Sequence, residues 1–152
     1  MSPKLNGAWI SYFGIRVTNF ERSKDFYTKI FDLVELAGYD GEKAKYVLFK
    51  DRRSGQRLEL NWYAEGTTFA TPYIPGEGLD HIGVRVNSVA EALKQLAAIG
   101  IHPSTKELGP NEDTWITSTG HHIVFIKDPD GNFIELYDHP EEPTNAPIPD
   151  HY

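Results

Sequence analysis

The strongest constraint on this chain is that it nearly repeats itself. GIRV at 14–17 returns as GVRV at 83–86, an offset of 69 residues, and the strand-like RLELNWY at 57–63 returns as FIELYD at 133–138, with Glu59 and Glu135 offset by 76. The same order of elements fills each half. WISYFGIRV, from Trp9, has strand character, and TNFERSKDFYTKIFD has helical spacing, with Phe20, Phe26, Ile30 and Phe31 on one side and Asn19 or Thr18 as the cap. VELAGY, KYVLFK and RLELNWY follow, separated by the turn signals DGEK and DRRSGQ. The second half runs through LDHIGVRV, an amphipathic helix in NSVAEALKQLAAIG ended by Gly100, and the runs IHPSTKEL, TWITS, HHIVFIK and NFIELYD. KDPDGN at 127–132 reads as a hairpin turn whose Asp and Gly supply the backbone angles. The repeat predicts an α+β fold of two tandem β-α-β-β-β units, unit one over 9–63 and unit two over 79–138, with loop length absorbing the difference between the offsets.

The 152 residues suffice for one domain with a sizeable core. The segment 64–78, AEGTTFATPYIPGEG, reads as a linker whose Phe69, Tyr73 and Ile74 are expected to pack on something, a partner chain being one candidate. The tail at 139–152 holds four of the ten prolines and reads as a surface arm or partly disordered end. Fifteen Lys and Arg against 22 Asp and Glu leave a formal charge of −7, which supplies no basic footprint for nucleic acid or an anionic membrane. Without cysteine, disulfides, thiolate catalysis and Cys-ligated zinc are excluded, so any metal must be held by His, carboxylate, Tyr or Asn/Gln. MSPKLNGAWI has no apolar signal-type core and no stretch approaches the roughly 18 apolar residues of a membrane span, so a cytoplasmic protein is expected. Nucleotide-binding, serine-hydrolase and HExxH motifs are absent from the sequence.

The two glutamates raise the chemical question. Side chains alternate along a strand, so Glu59 points opposite to Leu58 and Leu60, and Glu135 opposite to Ile134 and Leu136. A lone LEL or IEL segment is most simply a strand showing its polar face to water. Two of them at equivalent places, with His81 at a third, point instead to a shared metal site, where a cation offsets the cost of burying carboxylates. Imidazole and carboxylate donors suit Zn, Ni, Fe, Co or Mn, and ligand type alone does not choose among them. Of His121 and His122, which precede IVFIK, one faces the same side and the other faces away, and either is a candidate substrate contact.

GIRVTNFERSKDFYTKIF, RLELNWY, LDHIGVRV and FIKDPDGNFIELYD, taken in order over about residues 9–138, resemble the vicinal-oxygen-chelate superfamily, and within it most closely glyoxalase I. The resemblance implies curled sheets forming a half-barrel around one divalent metal (Ni, Zn, Co or Mn), with ligands on the first and last strands of each unit. Carried onto this chain, these are His81 and Glu135 from unit two, and Glu59 with Tyr12 from unit one. Tyr12 stands where relatives commonly have His or Gln. It admits three readings: phenolate ligation, contact with a metal-bound water or substrate, or simple occupation of a lost ligand's place. The resemblance further implies a homodimer, a small-molecule substrate carried as a thiol adduct, and Glu135 as catalytic base with Glu59 as its partner. The expected reaction converts a 2-oxoaldehyde hemithioacetal to a 2-hydroxyacyl thioester through an enediolate. Arg16, Asn61 and Tyr63 join the two histidines as expected substrate contacts, Asn61 following Glu59 by two residues where the family pattern has four. Epimerase or dioxygenase chemistry, and ligand sequestration without catalysis, are the alternatives within the superfamily.

Overall fold

The computed structural model describes residues 10–108, 112–118 and 120–138. Local chemistry explains where its elements begin and end. Helix α1 (Phe20–Ile30) starts where the Asn19 side chain accepts a hydrogen bond from Arg22 N, and its Phe20, Ser23 and Tyr27 recur at the spacing that keeps one face buried. Helix α2 (Val89–Ala98) is capped by Ser88, and it stops at Gly100, whose φ of +80° suits a residue without Cβ. Ile101 N donates to Leu96 O at 3.0 Å and Gly100 N to Ala97 O at 3.1 Å, which closes that end.

The strands are β1 (Phe13–Arg16), β2 (Leu33–Asp40), β3 (Ala44–Asp51), β4 (Arg57–Tyr63), β5 (His81–Arg85), β6 (Trp115–Ile116), β7 (His122–Lys127) and β8 (Phe133–Asp138). They form two mixed four-stranded sheets, ordered β1-β4-β3-β2 and β5-β8-β7-β6. In each sheet the first strand runs parallel to the last, and the remaining pairs are antiparallel. The expected α+β architecture of two repeated units is what the chain adopts. The run IHPSTKEL differs from its strand-like neighbours: Thr105–Leu108 forms a 3-10 turn, since Pro103 just before it has no N–H to give a ladder. Ser104 N still reaches Phe125 O at 2.7 Å, and Thr105 Oγ1 accepts from Phe125 N at 2.9 Å. The expected strand start at Trp9 and the proline-rich tail over 139–152 lie outside the described residues.

Each sheet has one closed and one open face. Ile15, Val17, Val47, Phe49 and Leu60 of the first sheet share a single buried cluster with Val124, Ile126, Ile134 and Leu136 of the second, completed by Phe20, Tyr27, Val89 and Leu96 from the helices. The KDPDGN turn does more than reverse the chain. Asp130 reaches across to unit one, accepting from Thr18 N at 3.1 Å, from the Thr18 hydroxyl and from Ser23 Oγ at 3.0 Å, with Arg22 Nη2 at 2.9 Å. Asp128 accepts from Tyr27 Oη at 2.9 Å, and burial together with that carboxylate pushes the Tyr27 phenol upward, so it stays protonated. Among the described residues no helix is long and apolar enough to cross a membrane.

Candidate active site

Register fixes which side chains share the open faces. In the first sheet Gly14 pairs with Glu59 and Arg16 with Asn61, and across the next ladder Glu59 meets Leu48 and Asn61 meets Tyr46. In the second, Gly83 pairs with Glu135 and Arg85 with Tyr137, and Glu135 meets Phe125. The two glutamates therefore hold the same register position opposite a glycine. His81 lies two residues before Gly83, and Tyr12 lies two residues before Gly14, immediately ahead of β1. The sequence equivalence of Tyr12 and His81 is thus a spatial one.

His81 and Glu135 come together. His81 Nε2 stands 3.7 Å from Glu135 Oε2, and Nδ1 stands 2.9 Å from Asp80 Oδ2. Asp80 thus engages one ring nitrogen, and the other is the one that faces the glutamate. The ring is also held edge-on against Phe125, 5.7 Å between centroids at 88°. Glu59 is engaged differently: its Oε1 accepts from Asn61 Nδ2 at 3.0 Å. Tyr12 is 46% exposed, with Phe13 beside it at 63%. Among the described residues of one chain, no three His, Asp or Glu side chains gather closely enough to hold a metal ion, so Glu59 does not join His81 and Glu135 within a single copy.

The remaining expected contacts separate by face. Tyr63 shares the open face with Glu59 and Asn61 by alternation, and its ring lies 5.1 Å from that of Phe69. Arg16 is held by the linker: Nη1 donates to Phe69 O at 2.8 Å and Thr71 Oγ1 at 2.7 Å, Nη2 to Pro72 O at 3.1 Å, and the guanidinium sits 5.2 Å over the Tyr73 ring. Together with Tyr63, Glu65 and Tyr73 it lines an open cavity of about 220 Å³. Tyr73 donates a short hydrogen bond to Asn132, so within the chain the linker packs on unit two's hairpin, whereas Phe69 and Ile74 stay exposed. The His121 ring lies 6.3 Å from that of Tyr137, on the open side. His122 lies on the closed side with Val124 and Ile126, its Nδ1 2.9 Å from Asp138 Oδ1, and Asp138 Oδ2 accepts from Val89 N at the start of α2. It is thereby separated from the other site candidates.

The sequence profile of the Glyoxalase/Bleomycin resistance protein/Dioxygenase superfamily matches residues 9–136. The chain belongs to this superfamily. Similar to it is a probable lactoylglutathione lyase of Vibrio parahaemolyticus, 30% identical over 128 residues that cover 80% of this chain and 84% of the relative. Among solved structures, a trypanothione-dependent glyoxalase I of Leishmania major superposes with a TM-score of 0.63 at 24% identity, covering 87% of each chain. An antibiotic-binding protein of a Streptomyces, TnmS3, superposes with a TM-score of 0.61 at 22% identity, covering 88% of this chain and 97% of the other. The superfamily's fold thus carries both an enzyme and a binding protein at similar structural distance.

Of the donors that the glyoxalase resemblance assigns to a divalent metal, His81 and Glu135 alone stand at a spacing that one ion could bridge. Nitrogen and oxygen ligands at about 2.1 Å from one ion stand roughly 3–3.5 Å apart, close to the 3.7 Å between His81 and Glu135. Asp80 and Phe125, which orient the imidazole, were not among the residues the sequence singled out. Asp80 was adjacent in DHIGVRV and open to inspection, whereas Phe125 is found only once the ladder opposite Glu135 is known.

Proposed function

We propose that the protein is a metal-dependent, glyoxalase-I-like lyase that converts the hemithioacetal of a 2-oxoaldehyde into a 2-hydroxyacyl thioester. The observation that carries this reading is the His81–Glu135 pair on one open sheet face, with Tyr12 and Glu59 at the matching register of the other. Relatives named lactoylglutathione lyase at about 30% identity support the same chemistry.

Because Glu59 does not join His81 and Glu135 in one chain, the reading requires a homodimer in which His81 and Glu135 of one copy face Tyr12 and Glu59 of its partner. Exposed aromatic side chains on these faces, Tyr39 and Tyr46 in the first sheet and Trp115 in the second, favour such an association. Glu59, His81 and Glu135 would hold a divalent ion (Ni, Zn, Co or Mn), with Tyr12 at the fourth corner. When bound, that ion supplies Lewis-acid polarisation of two neighbouring substrate oxygens.

The chain's own residues do the rest. Glu135 removes the proton from the carbon bearing sulfur and oxygen, and returns it to the adjacent former carbonyl carbon. The hydroxyl proton moves between the two oxygens, so no atom is gained or lost. Glu59 would be the partner carboxylate of that base among the residues that hold the ion. Tyr63 and His121 line the approach, and Arg16, held by the linker, keeps residues 69–73 at the rim. Methylglyoxal carried on a thiol is the substrate of choice for this reading, with detoxification in the cytoplasm as the role.

A second reading is favoured by Tyr12: with a phenol in place of the usual ligand, the same faces would sequester a ligand without metal. Reconstitution separates the two. Protein purified without a histidine tag, stripped and reloaded with Ni, Co, Zn or Mn, is expected to bind one ion per site and to turn over methylglyoxal with at least one of several thiols. No bound ion and no activity with any of the four metals overturns the enzyme reading.

A further inference from the structure

The cavity at the ends of β1 and β4 carries two opposite charges that are engaged very differently. Of its lining residues only Arg16 and Glu65 are ionised. Both hydrogens of Arg16 Nη1 go to the linker, at Phe69 O and Thr71 Oγ1, one hydrogen of Nη2 goes to Pro72 O, and the guanidinium rests 5.2 Å over the Tyr73 ring. Tyr73 is in turn tied to Asn132, so the linker is fastened to the hairpin of unit two as well. A carboxylate entering the cavity would have to displace those oxygens before it met the planar fork that recognises it. Glu65 is exposed, and among the described residues its carboxylate has no ion-pair partner. Trp62 and Tyr63 line the same space, and aromatic rings attract cations.

We infer that this cavity is a site for a ligand ammonium, held by Glu65 and the aromatic wall of Trp62 and Tyr63, and that Arg16 serves to fasten the linker there rather than to receive an anion. Arg16, expected from sequence to touch substrate, is thereby given a different task. Tyr63 also lies on the open face of β4, so the cavity continues that face and takes the far end of a ligand lying along the strand. The ammonium site stands on the cavity alone. Its assignment to the substrate rests on the reading of the preceding subsection and deepens it: the thiol that carries the oxoaldehyde ends in an amine and not in a carboxylate.

The test has a binding arm and a turnover arm. In the first, the full chain is titrated with butylammonium chloride and with sodium butyrate while the Trp62 indole and Thr71 amide resonances are followed. Butylammonium is expected to shift them and to bind about 3–10-fold more tightly than butyrate, with a preference that shrinks in high salt. Glu65→Gln, a change at an exposed side chain, is expected to weaken butylammonium binding by about 2–5-fold. In the second arm, metal-loaded protein is assayed with methylglyoxal and thiols of one length that end in an ammonium, a hydroxyl or a carboxylate. The ammonium-ended thiol is expected to show a KM about 3–10-fold below that of the carboxylate-ended one, and Glu65→Gln is expected to narrow that gap. Butyrate binding as tightly as butylammonium, resonances that neither probe moves, or unchanged butylammonium binding in Glu65→Gln overturns the ammonium site. Butylammonium bound as expected by a protein inactive with every thiol overturns the functional reading and leaves the site, whereas an active protein indifferent to the three ends overturns the assignment to the thiol carrier alone.

Discussion

Glu135→Gln is expected to lower kcat by about 10³-fold, within the range that a positioned general base contributes. Glutamine keeps the shape of the side chain and can offer an oxygen, but it cannot accept the proton. The fold should be untouched, because among the described residues Glu135 has only the 3.7 Å approach to His81 as a polar partner, and its side chain is 21% exposed. Measuring metal content in the same preparation separates loss of the base from loss of a ligand. Glu59→Gln, by contrast, should show its loss mainly as weaker metal binding. Full activity in Glu135→Gln would mean that Glu135 is not the base and that the proposed mechanism is wrong.

The largest effect on stability is expected from Asp130→Ala. The Asp130 side chain is 1% exposed and receives Thr18 N–H, the Thr18 hydroxyl and Ser23 Oγ, while Ser23 is itself fully buried. Removing it leaves the buried Ser23 hydroxyl without an acceptor and takes two further bonds from the exposed Thr18, which together costs about 2–4 kcal/mol. The Arg22 contact adds little, since that side chain is 47% exposed. For a chain of 152 residues the change corresponds to a fall in Tm of roughly 5–15 °C. Asp130→Asn, which keeps an acceptor, should fall between the variant and the wild type. Thermal melts of metal-free protein measure this directly, and a shift of about 1 °C or less would mean that the hairpin does not brace α1.

Much of the fold was legible because the repeat imposed itself twice. Alternation in RLELNWY and FIELYD gave the faces of β4 and β8, Asn19 and Gly100 marked helix ends, and the helical spacing in α1 pointed its aromatic residues toward the core. What escaped the sequence depends on contacts between distant segments. Nothing local to KDPDGN says that its second aspartate will stop 112 positions away at Thr18. Nothing local to Arg16 says that the linker's carbonyls will occupy its guanidinium. The pair at 121–122 was left undecided, and the ladder between β7 and β8 resolves it by putting His122 beside Asp138 and leaving His121 near Tyr137. The candidate metal residues were expected one by one and already divided between the two units; that Glu59 does not join His81 and Glu135 within one chain is seen only in the structure.

The continuous core under both sheets has an evolutionary reading. Substitutions on the closed faces must be tolerated by both units at once, because Leu60 and Ile134 belong to one packed cluster. Those on the open faces do not enter that shared interior. Divergence between the repeats should therefore accumulate on the open faces, as at Tyr12 against His81 and at Asn61 against Tyr137. A scaffold of this kind can acquire a new substrate, or surrender a metal ligand, while its interior stays as it was.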